Sequence, residues 1–341
     1  MGRRGNSVDL RRSRPTSADV AREAGVSRAT VSYVLNDTPH QKIPETTRLR
    51  VLKAAADLGY TPSAAARALR SGRSEVILLL LPDWPIGPAV GQLLETMSTT
   101  LADAGLTLVV HPRARAGRSV TEIWKAITPA AVVAFDEFDE HEAGTMRAAG
   151  VQLVVALLGR APRHGFELDY PQQRIGRMQV EHLAATGHRS IGFAWDPDPR
   201  LDTFGRARLD GARQACAELG LRDLDVRTVP LDPASAAEAV TGWRSATPAV
   251  TGVCAYNDET ALAVLAGLRR LGLSAPHDLA VVGVDDIPAA ALADPPLTTI
   301  VADQRSMAEH IARSIIANLH GRTAPPRPGP DTIQIVLRDS A

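Results

Sequence analysis

Between Thr16 and Tyr60 the apolar residues recur at helical rather than alternating spacing, in three short runs separated by turn residues. Thr16 and Ser17 can cap the first run, Asp19 lies near its positive end, and Gly25 closes it. Ser27 caps a second run that reaches about Asn36. A third runs from Pro44, a residue suited to a first helical turn, to Gly59. Val20, Ala21, Ala24, Val26, Val31, Val34 and Leu35 supply a small shared core, completed by a face of Val51, Leu52, Ala55 and Leu58. Pro62–Ser74 is alanine-rich and is predicted as a helix of about nine residues, marginal by itself in water.

From Val76 onward the rhythm becomes strand then helix, repeated. Predicted strands are Val76–Leu81, Leu106–Val110, Ala131–Phe135, Gln152–Leu157, Ser190–Ala194, Val226–Val229, Gly252–Ala255 and Leu279–Val284. Amphipathic segments such as Gly91–Ala104 and Met178–Thr186 read as crossover helices of parallel α/β units. There is material for two lobes, but the pattern does not say where one ends.

Composition and charge sharpen this division. The chain has 341 residues, 45% hydrophobic and 22% charged, enough apolar mass for two or three domains. Net charge is zero, yet residues 1–73 hold fourteen basic and six acidic residues, an excess that the rest of the chain cancels. A basic head on an acidic body is the expected footprint of a nucleic-acid-binding module; a solvated basic tail is the plainer alternative. Residues 1–14 lack periodicity and read as a disordered basic arm. They contain no apolar run, and the longest apolar stretch is far too short for a membrane span, which points to a cytoplasmic protein. Cys216 and Cys254 lie apart in apolar stretches and read as small buried hydrophobes rather than a disulfide or metal pair. There is no Walker A sequence, G-x-S-x-G, H-E-x-x-H or Cys/His ligand set, so neither an enzyme nor a metal or cofactor site is expected.

The segment TSADVAREAGVSRATVSYVLN (Thr16–Asn36) describes a helix, a tight glycine turn and a second helix, the arrangement that inserts one helix in the major groove. Nearly position for position it resembles the DNA-binding head of the lactose/galactose-repressor (LacI/GalR) family, in the pattern D-V-A-x-x-A-G-V-S-x-x-T-V-S-x-V-L-N. The likeness continues through LGYTPSAAARALRSGRS. It implies a sequence-specific transcriptional regulator, a repressor by expectation, binding a palindromic operator in double-stranded DNA. Arg28, Ala29 and Tyr33 fall where the family reads bases: Arg28 suits guanine and Ala29 a thymine methyl. Ser17, Ser27, Thr30 and Ser32 are expected phosphate contacts, with helix capping and solvation as the plain alternative. His40 lies near a position of similar use, in a loop longer than the usual one. By the same resemblance, Arg67 and Leu69 belong to a hinge helix that pairs with its twin in the minor groove. Leu69 there wedges into the central base step; packing on the ligand domain is the alternative.

The body resembles the family's periplasmic-binding-protein-like domain, through VEHLAATGHRSIGF, RLDG, CAYNDETAL, VVGVDDI, PPLTTI and the closing LRDS. The fold class implied is an all-α helix-turn-helix head plus an α/β domain of two doubly wound lobes, with a small-molecule effector, by default a sugar, in the cleft between them. Arg208, Asn257 and Asp285 match its ligand positions, with Asp169 further from the pattern. Asp258 and Asp286 are expected as structural partners or caps. After the first strand PDWPIGPAV lacks the family's usual aromatic pair, and Trp84 is the candidate replacement platform. The chain ends three residues after Arg338, without a leucine-zipper tail, so a homodimer is expected rather than a tetramer. The expected segments are an arm (1–14), a DNA-binding domain (15–61), a hinge and linker (62–75) and an effector domain (76–341). Its first lobe takes about 76–187 and 303–325, its second about 188–302 and 330–341. The competing reading is a cytoplasmic solute-binding protein without operator-specific regulation.

Overall fold

The computed structural model describes residues 15–35, 41–60, 74–113, 120–157, 172–326 and 333–341. The chain divides after Glu75 into two compact units. The arm, His40, the hinge segment with Arg67 and Leu69, and Asp169 all lie outside the described residues.

The first unit is built on three helices, α1 (Ser17–Ala24), α2 (Arg28–Leu35) and α3 (Glu45–Leu58). Thr16 and Asp19 form a reciprocal capping box: the Asp19 carboxylate accepts the Thr16 N–H at 2.9 Å, and Thr16 Oγ1 accepts the Asp19 N–H at 3.4 Å. Gly25 ends α1 at φ +63°, a left-handed conformation that costs a glycine little. Ser27 opens α2 by accepting the Thr30 N–H at 3.0 Å. Val20, Val31 and Val51 meet with no solvent exposure, one from each helix. The expectation for Leu52 fails: it is 43% exposed, and Ala54 takes the inward position. At 100° per residue, Leu52 and Ala54 flank the face of Val51 and Ala55 at equal angles, and Leu58, which packs on the same core, lies on the Ala54 side.

In the second unit, the first lobe contains β1 (Val76–Leu81), α4 (Pro88–Asp103), β2 (Thr107–Pro112), α5 (Val120–Ile127), β3 (Ala131–Ala134), α6 (Glu140–Ala148) and β4 (Leu153–Ala156). Its four strands run parallel in the order β2-β1-β3-β4. The unbroken run VILLLL in β1 reflects burial on both faces. Ile77, Leu79 and Leu81 join Met97 and Leu101 of α4, while Leu78 and Leu80 join Trp124 and Met146 on the opposite side.

The second lobe contains α7 (Gln172–Ala185), β5 (Ile191–Trp195), α8 (Asp202–Glu218), β6 (Asp225–Thr228), α9 (Pro233–Arg244), β7 (Gly252–Ala255), α10 (Asp258–Arg270), β8 (Ala280–Val284), α11 (Pro288–Ala291) and β9 (Thr298–Ala302). The chain then returns to the first lobe as α12 (Gln304–Leu319), whose Ile311 and Ile315 pack with α4, and ends in β10 (Ile333–Val336) on the second sheet. That sheet runs β10-β9-β8-β7-β5-β6, with β10 alone antiparallel. The expected lobe boundary at 187 is corrected. Ile175, Val180 and Leu183 of α7 lie in the core of the second lobe with Phe193 and Cys216, so the second lobe already includes Gln172. Strand β9 has no counterpart among the strands expected from the sequence pattern. Its Thr298 and Thr299 look polar, but both are buried and hydrogen-bonded, Thr299 to Asp258 and Thr298 to the Arg338 carbonyl. Among the described residues, no helix is long and apolar enough to cross a membrane.

Helices α7 and α8 cross at backbone contact. A methyl group at Gly176 would overlap the Arg208 carbonyl, and one at Gly211 would overlap the Gln173 carbonyl. This closeness sets Gln172 beside Arg208. Gly211→Ala is therefore expected to destabilise the protein by roughly 1–3 kcal/mol through forced helix separation, read as a lower urea midpoint. An unchanged midpoint would show that the crossing has slack.

Candidate functional site

On the head, α2 keeps Val31 and Val34 inward and turns Arg28, Ala29 and Tyr33 outward. Arg28 has no hydrogen-bond or ion-pair partner among the described residues, so its guanidinium extends from the first turn of α2 into solvent. Tyr33 is 37% exposed, a large ring that the three-helix core does not use. Ser27 is engaged as the cap, with its hydroxyl also 2.9 Å from Thr30 Oγ1. Ser17, Thr30 and Ser32 are half-buried at the same end of the unit's sequence.

In the body, a cavity of about 720 Å³ opens between the two lobes, lined by the loops after β1, β5, β7 and β8 and by α8. That is where parallel α/β sheets place ligands, at the carboxyl ends of their strands. Trp84, Arg208, Asn257 and Asp285 all line it. Four of the five sequence-predicted effector residues are thus brought together.

Arg208 is 4% exposed at the floor of this cavity. Its Nε donates to Gln172 Oε1 at 2.6 Å, its Nη1 to the Tyr256 carbonyl, and its guanidinium lies 4.8 Å from the Tyr256 ring centre. Its Nη2 stands 3.7 Å from Asp285 Oδ1, an ion pair too long for a hydrogen bond, so that nitrogen keeps donor capacity. Asp285 follows β8 at φ +105°, and Asp286 comes next at +51°. Two successive side-chain-bearing residues in this region are strained by roughly 1–3 kcal/mol each, and such strain persists only where neighbours enforce it. The enforcement is visible. Asp286 binds Arg338 at 2.6 Å, and the Asp285 N–H donates to the Ile300 carbonyl at 2.8 Å. Buried Asp258 accepts the Ile287 N–H at 2.9 Å and the Thr299 hydroxyl at 2.6 Å. Asp258 and Asp286 thus serve as clamps of the Asp285 turn.

Asn257 caps α10 by accepting the Thr260 N–H at 2.8 Å, and its amide donates to Glu259 at 3.2 Å. On the first-lobe side Trp84 stands 4.7 Å from Phe135 and 4.9 Å from Phe204, ring centre to ring centre. Phe204 comes from α8 of the second lobe, so the aromatic group spans the cleft. Gln172, Tyr256, Glu259, Phe135 and Phe204 had no place among the sequence-predicted site residues. For Tyr256 and Glu259, adjacency to Asn257 was the available signal; for the others there was none.

Burial governs the ionisation here. It pushes the Asp258 carboxyl up to about 7, with the Thr299 and Ile287 hydrogen bonds opposing and Asp285 and Asp286 adding to the rise. Burial also raises Asp285, offset in part by Arg208, and drives the Tyr256 hydroxyl to about 12. Among the described residues no group of three or more His, Cys, Asp or Glu is placed to hold a metal ion.

Two family profiles match the chain: "Bacterial regulatory proteins, lacI family" over residues 16–63 and "Periplasmic binding protein-like domain" over 180–341. The HTH-type transcriptional regulator MalR of Streptomyces coelicolor is 30% identical over 90% of this chain and 91% of its own length. The structure of a transcriptional regulator CelR–cellobiose complex is similar at 27% identity and a TM-score of 0.62, covering 96% of this chain and all of the other. The lac repressor dimer bound to operator and the anti-inducer ONPF shares the fold at a TM-score of 0.75 and 24% identity, over 96% of this chain and 99% of that one.

The Asp258 carboxyl makes a pH prediction. Its folded value of about 7 lies above the unfolded value of about 3.9, so the folded state binds the extra proton. Its stabilising contribution is complete below about pH 4 and is lost as pH rises through about 7. Chemical denaturation across that window should show Asp258→Asn flattening the decline seen in the parent protein. Parallel curves for the two proteins would remove Asp258 as the source.

Proposed function

This chain belongs to the lacI family of bacterial regulatory proteins and is a helix-turn-helix transcriptional regulator; on that premise we propose that it represses by binding a palindromic operator as a homodimer, under control of a small molecule held in the interlobe cleft. The observation that carries the DNA half of this reading is the outward row of Arg28, Ala29 and Tyr33 on a helix whose other face is committed to the core. Arg28 reads guanine with two parallel hydrogen bonds, Ala29 meets a thymine methyl, and Tyr33 reaches the next base along the groove. Ser17, Thr30 and Ser32 hold phosphates and fix register, while Ser27 caps α2. His40 keeps its proposed place among the backbone contacts, and Arg67 and Leu69 theirs in the minor groove.

For the effector half, Arg208, Asn257 and Asp285 form the polar floor and Trp84 the aromatic wall, a pairing that suits a sugar's hydroxyl edge and apolar face. Asp169 is retained from the family resemblance as a further contact. Because the lining residues come from both lobes, a bound molecule favours one lobe arrangement over another, and that difference in binding free energy shifts DNA affinity. The protein acts in the cytoplasm and catalyses no reaction in this reading.

Two substitutions separate the halves. Arg28→Ala should cost roughly 1–3 kcal/mol at one operator base pair and relax the preference there, in fluorescence anisotropy on single-base operator variants. Equal loss on every sequence would make Arg28 a phosphate contact. Arg208→Ala should leave the unliganded protein bound to operator yet abolish its response to effector; a retained response would place the effector elsewhere.

A further inference from the structure

The charge in the cleft is unbalanced. Five carboxylates line it (Asp196, Asp198, Asp258, Glu259 and Asp285) against the guanidiniums of Arg200 and Arg208. Arg200 is committed to Asp198 by contacts of 2.6–3.0 Å, and Arg208 faces Asp285. Asp258 is consumed by the Ile287 N–H and the Thr299 hydroxyl. That leaves Asp196 and Glu259 without a cationic partner among the described residues. Asp196, 8% exposed, accepts only neutral donors, the Asp198 N–H at 2.8 Å and the Thr260 hydroxyl at 3.4 Å. Glu259 is half-buried and accepts only the Asn257 amide, and its carboxyl is held above its usual range first by burial, then by Asp285 and, more weakly, by Asp196. Asp196 accepts the hydroxyl of Thr260, the residue after Glu259, so the two carboxylates line the same stretch of the cavity, and neither belongs to a metal-ligating cluster.

A second observation points to a ligand independently of charge. Gln172 is 6% exposed and lines the same cavity; its Oε1 is taken by Arg208, and its Nε2 has no partner among the described residues. A buried amide nitrogen left so is costly, and an acceptor on a bound molecule removes the cost. Beside it, Arg208 Nη2 has spare donor capacity. Hydroxyl or carbonyl oxygens are thus wanted at Gln172 and Arg208, a positive group at Asp196 and Glu259, and an apolar face toward Trp84.

Resting on the reading of this cleft as the effector site, we propose that the effector is a hydroxylated amine of the amino-sugar type, its ammonium at Asp196 and Glu259 and its hydroxyls at Gln172 and Arg208. Phosphorylated or carboxylated sugars meet the same surplus negative charge as repulsion, and a neutral sugar leaves it uncompensated.

Isothermal titration of the full chain at neutral pH tests this with probes that vary the charge carried on one sugar ring: glucosamine, glucose, N-acetylglucosamine and glucose 6-phosphate, with galactosamine and galactose as a second ring. At least one amine should bind about tenfold tighter than its hydroxyl parent, and the preference should fall below about threefold in Glu259→Gln and in Asp196→Asn. The 6-phosphate should not bind. A parent or N-acetyl sugar binding as tightly as the amine, a bound 6-phosphate, or no binding by any probe would overturn the proposal. If a parent sugar binds, and binding is lost in Arg208→Ala, the effector cleft stands while the amine falls. An amine whose binding is indifferent to both Arg208→Ala and Glu259→Gln lies outside the cleft and overturns both.

Discussion

A guanidinium buried to 4% exposure is tolerable only if its donors are met, and the floor of the cleft is organised around meeting those of Arg208. Each partner arrives from a different part of the second lobe: Gln172 from the start of α7, the Tyr256 carbonyl and ring from the end of β7, and Asp285 from the strained turn after β8. The close crossing at Gly176 and Gly211 brings the first of these within reach. Asp258 and the Asp286–Arg338 pair hold the last in a backbone conformation that it would not adopt freely. The arginine therefore reports the integrity of the whole lobe, and a molecule that engages it engages α7, β7 and β8 together.

The opposite wall follows different rules. Trp84 and Phe135 come from the first lobe and Phe204 from the second, and they meet ring against ring in tilted packing. Apolar contact is non-directional, so this wall tolerates relative lobe movement that the hydrogen-bonded floor does not. A polar ligand fixed to the floor and resting on the wall couples the two lobes. Such coupling is what a regulator needs if its DNA affinity is to depend on what occupies the cleft.

Much of this was legible in the sequence where the determining physics is local. Thr16, Gly25 and Ser27 mark helix ends through bonds to their own neighbours, so the helix-turn-helix could be read directly. Leu52 was misplaced because helical spacing alone tolerates either Leu52 or Ala54 near the Val51 face, and the larger side chain was preferred. In β9 buried threonines hid a core strand, because their hydroxyls are satisfied by residues about forty positions away along the chain. The cleft divided the same way. Arg208, Asn257 and Asp285 stand inside recognisable family motifs, whereas Gln172, Phe135 and Phe204 acquire meaning only when distant elements meet. The lobe boundary was misread for that reason too, since α7 declares its allegiance through contacts with Phe193 and Cys216 rather than through its own pattern.

Selection of random-sequence duplex DNA by the purified full chain, with and without a pooled metabolite extract, followed by sequencing of the bound pool, tests operator reading most directly. An enriched palindrome with a fixed centre is expected, whose half-site narrows at one base pair when Arg28 is present and relaxes there in Arg28→Ala. A bound pool indistinguishable from the input under both conditions would contradict it.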